Sequence, residues 1–148
     1  MAAHILRIAD IHGAAGVSDI LLSIYPGPIH VMRRQMELVR QAIERQSQGP
    51  RVKGRGESAV GRRRSAVGGR GQRAARILGV HLEGPFLNRA RCGALDPGCF
   101  LEPREKPFRE LVEGFEEIVK VITIAPELNG ARTLIKKMVS RGIIVTMG

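Results

Sequence analysis

Four short apolar runs, each stopped by glycine or proline and each separated from the next by helical periodicity, restrict this chain to an alternating α/β fold. The runs are SDILLSI at 18–24, RILGVHL at 76–82, VKVITI at 119–124 and IIVTM at 143–147. Residues 2–14 are expected to be helical, with the helix ending at Gly16, the residue type that best accepts the left-handed conformation past a helix end. From Ile29 to about Gln46 the apolar positions Ile29, Met32, Met36, Val39 and Ile43 recur at three and four, which is a helix. Arg33/Glu37 and Arg40/Glu44 are spaced on it for i, i+4 pairing. A third helix is expected from Lys106, with Phe108, Leu111, Val112 and Phe115 on one face. A fourth is expected to open at Pro126 or Glu127, with Ala131, Leu134, Ile135, Met138 and Val139 as its apolar stripe and Gly142 as its end. Apolar strands joined by crossover helices imply a parallel sheet, about four strands with flanking helices. The alternation alone leaves both a closed (β/α) barrel and an open sheet in play. The chain begins in a helix and stops at the end of a strand that would lack a covering helix, so the expectation is part of a domain.

One segment breaks the alternation. The chain carries a net charge of +10, and residues 49–76 concentrate it: eight Arg and Lys53 against the single acid Glu57. Seven glycines and no aromatic residue leave that stretch too little apolar surface to offset its ordering entropy, so a disordered Arg/Gly-rich insert at 49–76 is expected to interrupt one partial domain spanning 1–148. A short duplication, SAVGRRR followed by SAVGGRG, marks it as low-complexity sequence. Its basic character raises one alternative function, an RNA- or other nucleic-acid-binding protein acting through 49–76. Aromatic residues for base stacking are absent there, and the body outside it is close to neutral, so nucleic acid is not the expected partner. No membrane is expected to take part, since no apolar run approaches 18 residues. Cys92 and Cys99 match neither a CxxC redox pair nor zinc-finger spacing, and are expected to be free thiols of a reduced, cytoplasmic compartment.

In parallel α/β folds the working loops follow the carboxyl ends of the strands. Glu83 is the acid at such an end, with Gly84-Pro85 stopping the strand at once and His81 two residues back on the same side. A carboxylate there can ligate a metal or transfer a proton; it can equally be a solvated glutamate paired with Arg89 or Arg91. His81, inside the apolar run, reads as a hydrogen-bonded core residue. His4 and His12 share a face of the first helix without a third ligand nearby, and His30 reads as a surface residue. Glu127 reads as a helix N-terminal acid with a structural role. There is no GxGxxG, Walker or GxSxG motif to support nucleotide binding or serine hydrolysis.

The string His81-Leu82-Glu83-Gly84-Pro85-Phe86-Leu87-Asn88, with Arg91-Cys92-Gly93-Ala94-Leu95 and Ile122-Thr123-Ile124-Ala125-Pro126-Glu127, resembles the N-acetylglucosamine-6-phosphate deacetylases of the amidohydrolase superfamily. The resemblance covers nearly everything outside the basic segment. It implies part of a (β/α)8 TIM-like metal-dependent hydrolase barrel in which Glu83 is a ligand of a divalent cation, zinc or iron. It implies an amino-sugar phosphate as the small-molecule partner, hydrolysed to acetate and glucosamine 6-phosphate in amino-sugar catabolism. Ala94 and Leu95 match the pair that helps to hold the substrate, and Leu95 departs from the histidine usual there, removing a hydrogen-bond donor. The remaining histidine ligands and the proton-moving aspartate would lie before Met1 and beyond Gly148, so the 148 residues are expected to be inactive alone. A homodimer is the expected state of the complete protein. A catalytically dead fragment that pairs with another chain through its strand edges is a further reading.

Overall fold

The computed structural model describes residues 2–48 and 74–148. Helix α1, Ala2–Ala14, leads through Gly16 at φ +90° into β1, Asp19–Ile24. Then follow α2, Ile29–Ser47; β2, Arg76–Glu83; α3, Glu105–Val112; β3, Val119–Ile124; α4, Ala131–Ser140; and β4, Ile144–Met147. No helix among the described residues is long and apolar enough to cross a membrane.

All strand pairs are parallel and the order in the sheet is β1-β2-β3-β4, each strand beside its predecessor. A doubly wound open sheet reverses direction at a switch point; this one advances without reversal, as the strands of a barrel do. Right-handed crossovers that always step the same way deposit every helix on the same face. That face is the core. Met32, Met36, Val39 and Ala42 of α2, Phe108, Leu111 and Val112 of α3, and Ala131, Leu134 and Met138 of α4 are buried against Ile24, Val80, Leu82, Ile122 and Ile124. Leu21 and Ile144, on the opposite face, stay exposed at 39% and 62%.

Three local expectations are corrected. Helix α4 starts at Ala131, four residues beyond Glu127, because Gly130 takes φ +86° and packs against the carbonyl of Pro103, a geometry that a helix interior cannot hold. Arg33 does not pair with Glu37. Its guanidinium donates to the carbonyls of Glu110, Leu111 and Glu113 at 2.8, 3.2 and 3.0 Å and lies over the Phe115 ring, satisfying acceptors at the end of α3. Glu37 is taken instead by Arg40, three residues on, and by Gln41. Phe115 is buried, but beyond the end of α3.

Most of the Arg/Gly-rich segment, 49–73, lies outside the described residues. Its last three positions lead into β2. Ala75 is buried and donates to the Ala9 carbonyl at 2.8 Å, while Arg76 opens β2 and pairs with Asp19 at 2.6 Å. That arginine holds the Asp19 carboxyl below its ordinary range, chiefly through the hydrogen bond.

Candidate metal and substrate site

Glu83 is the last residue of β2, and its orientation depends on a bulge four residues earlier. Strict alternation from the buried Ile77 would turn residues 79, 81 and 83 toward the helices. Instead Ile20 pairs with Ile77 and Leu21 with Gly79, so β2 carries one extra residue, and Gly79 and Val80 are both buried. The slip re-phases the strand. Leu82 then faces the helices, while His81 and Glu83, both half-buried, share the opposite face, as their two-residue spacing predicts.

A line of polar side chains crosses all four strands at this rim. Ser23 Oγ shares a hydrogen bond with His81 Nδ1 at 3.1 Å, His81 Nε2 with Thr123 Oγ1 at 2.8 Å, and Thr123 Oγ1 with Thr146 Oγ1 at 2.6 Å. Both ring nitrogens of His81 are therefore occupied, in keeping with the structural reading of that histidine. Glu83 lies directly across from Thr123 in the register, yet among the described residues its carboxylate forms no ion pair and accepts no side-chain hydrogen bond. The paired alternative is thereby removed: Arg89 donates to the Phe100 carbonyl at 2.9 Å, and Arg91 forms no salt bridge among the described residues.

The loop after β2 folds over this rim. Leu101 donates to the Pro85 carbonyl at 3.0 Å and Ala125 to that of Phe86 at 2.9 Å, with the Phe86 ring fully buried beneath. Two short turns within the loop, Arg89–Arg91 and Pro97–Cys99, are each capped by a side chain: Asn88 accepts from Ala90 and Asp96 from Gly98. The amide of Asn88 also donates to Glu127 Oε1 at 2.8 Å. Glu127 thus ties the β2 and β3 loops together and does not serve a helix N-terminus. Its carboxyl is held below the ordinary range, first by Asn88, then by its own backbone N–H and by Arg91. A folded-state value below the unfolded one gives a contribution present above the unfolded pKa and lost as pH falls through the folded one. Asn88→Ala is expected to raise the Glu127 pKa toward its ordinary 4.5, read by carbon NMR titration of the side chain.

Between rim and loop lies a cavity of about 350 Å³ lined by Glu83, Leu87, Arg91, Cys92, Ala94, Leu95 and Thr123, with Tyr25 at its exposed edge. The three residues singled out from the sequence, Glu83, Ala94 and Leu95, meet here. Sequence reasoning missed Tyr25 and Thr123. Thr123 was recoverable as an alternate-face position near the end of an apolar strand; Tyr25 carried no signal. Cys92 and Cys99 are unpaired, as expected, and His4, His12 and His30 are exposed. Burial and the neighbouring Asp96 raise the Cys99 thiol.

A divalent cation normally takes three or more protein donors. Among the described residues no group of three His, Cys, Asp or Glu side chains converges. Glu83 fits as one donor of a larger set, being uncommitted and aimed into a cavity; His81 does not fit, because both nitrogens are engaged.

No protein-family model matches the chain. An N-acetylglucosamine-6-phosphate deacetylase from Homo sapiens is 34% identical over 80 residues, covering 53% of this chain and 20% of the human protein. One from Bacillus subtilis is 35% identical over 75 residues, covering 50% and 19%. Among solved structures, the Mycobacterium smegmatis N-acetyl-D-glucosamine-6-phosphate deacetylase superposes with a TM-score of 0.67 at 26% identity, covering 97% of this chain and 30% of that one. A variant of it in complex with N-acetyl-D-glucosamine-6-phosphate gives 0.69. The Thermotoga maritima deacetylase, at 20% identity and a TM-score of 0.68, adds agreement in fold. The chain thus matches about a fifth of the length of its curated relatives, and the expectation of part of a (β/α)8 barrel with four parallel strands is borne out. Nothing in these comparisons supports the nucleic-acid alternative. In sequence and in fold, the chain is a relative of part of the N-acetylglucosamine-6-phosphate deacetylases.

Proposed function

We propose that this chain supplies the Glu83-bearing portion of a metal-dependent barrel that deacetylates N-acetylglucosamine 6-phosphate to glucosamine 6-phosphate and acetate. The observation that supports it most is the convergence of Glu83, Ala94 and Leu95 on one cavity at the carboxyl ends of the strands, with the Glu83 carboxylate left uncommitted. Glu83 would hold a divalent cation, zinc or iron, jointly with donors outside the described residues. When bound, that cation supplies Lewis acidity toward the amide carbonyl. The chain's own residues do the rest of the local work. Ala94, Leu95 and Leu87 form an apolar wall against which the acetyl group and sugar ring can pack, and Arg91, facing the same cavity, suits an anionic phosphate. Two unpaired thiols in the loop fit a cytoplasmic location.

Acetate release from N-acetylglucosamine 6-phosphate tests the reading. The 148 residues alone are expected to release none above background, since one carboxylate does not make a metal site. The same residues set in place of the matching stretch of the Mycobacterium smegmatis enzyme are expected to sustain release. A hybrid that folds and binds the sugar phosphate but releases no acetate would overturn the proposal.

A further inference from the structure

The polar line at the rim has a role that neither the comparisons nor the metal reading supplies. Thr123 stands opposite Glu83 on the adjoining strand, on the same face, and both line the cavity. A threonine hydroxyl has one proton to give, and the strongest acceptor within reach of such a position is an ionised carboxylate. Thr123 is engaged elsewhere. Its Oγ1 is engaged by His81 Nε2 at 2.8 Å and Thr146 Oγ1 at 2.6 Å. If Nδ1 of His81 carries the hydrogen, protons run from Thr146 to Thr123 to Nε2, and from Nδ1 to Ser23. With the hydrogen on Nε2, His81 donates to Thr123, and either hydroxyl of the Thr123–Thr146 pair can donate to the other. The Nδ1–H form commits the Thr123 proton to His81, and among the described residues Thr123 makes no hydrogen bond to Glu83.

We propose that His81 is a positioning residue that, by engaging the hydroxyl of Thr123, keeps the Glu83 carboxylate unoccupied and available to a cation. The proposal rests on the metal-dependent reading for its purpose, and on the hydrogen-bond geometry alone for its mechanism. His81 touches neither substrate nor cation.

Two measurements separate these. In the full 148-residue chain, three-bond NMR couplings report the χ1 rotamer of Thr123. A single rotamer is expected with His81 in place, and a shifted or averaged one in His81→Leu. An unchanged rotamer overturns the positioning role. In the hybrid enzyme described above, zinc affinity is measured by competition with a chromophoric chelator. His81→Leu is expected to weaken zinc by about tenfold, the scale of losing an outer partner of a metal site. The double variant His81→Leu/Thr123→Val, which also removes the hydroxyl that would turn to Glu83, is expected to recover most of that loss. A merely structural role for His81 predicts the reverse, since a second deletion from the same line adds damage; a double variant no better than the single one therefore overturns the proposal. Failure of the hybrid with native His81 to bind zinc overturns the metal reading instead, while the rotamer measurement still decides the geometry.

Discussion

Gly79→Ala is expected to destabilise the chain by more than about 3 kcal/mol, enough to lower its melting temperature by about 10 °C, with Gly114→Ala as a control costing about 1 kcal/mol. Both glycines have positive φ, +148° and +79°, so both substitutions bear a backbone penalty. They differ in what a methyl group would meet. At Gly114 nothing lies within 4 Å, whereas at Gly79 the methyl would overlap the backbone carbonyl oxygen of Ile118 and sit 2.9 Å from the Lys120 side chain. That carbonyl cannot withdraw freely, because it accepts the Val80 N–H at 2.8 Å and so pins β2 to the entry of β3. Urea unfolding of both variants measures the difference. The effect extends to function, since the bulge at Gly79 is what turns Glu83 out of the helix-facing layer. A chain that relieved the clash by losing the bulge would send residue 83 toward the buried core.

Glu83→Gln in the hybrid enzyme is expected to lower kcat/KM by at least about a hundredfold while leaving stability within about 0.5 kcal/mol. The substitution keeps the side chain's size and removes its charge. Stability should barely respond, because the carboxylate makes no ion pair and accepts no side-chain hydrogen bond among the described residues. Activity should respond strongly, because an amide oxygen is a far poorer partner for a divalent cation than a carboxylate. The opposite pattern, a stability loss with activity retained, would recast Glu83 as a structural residue.

The elements that local chemistry defines were legible from residues alone. Val119–Ile124 is an apolar run with clean boundaries, and α2 shows its buried stripe in Met32, Met36 and Val39. What escaped was decided by contacts between distant residues. Arg33 had a partner at i, i+4 on paper, but three carbonyls at the end of α3, 77 to 80 residues away, offered more acceptors to one guanidinium. Glu127 followed a proline as helix-opening acids do; its engagement by Asn88, 39 residues earlier, could be seen only once the two loops were placed side by side. The choice between barrel and open sheet needed strand order, which periodicity does not contain. Glu83 and the face it shares with His81 were legible, although the bulge that secures that face was not. Its signal was nonetheless present, since a glycine inside an apolar strand marks either a bulge or a close backbone approach, and Gly79 makes both.

Whether Glu83 holds a cation is tested most directly by anomalous diffraction, at the metal's absorption edge, from crystals of the hybrid carrying these residues. A cation peak is expected within about 2.0–2.2 Å of a Glu83 carboxylate oxygen. A peak elsewhere in the barrel, with the Glu83 side chain turned to bulk water, would contradict it.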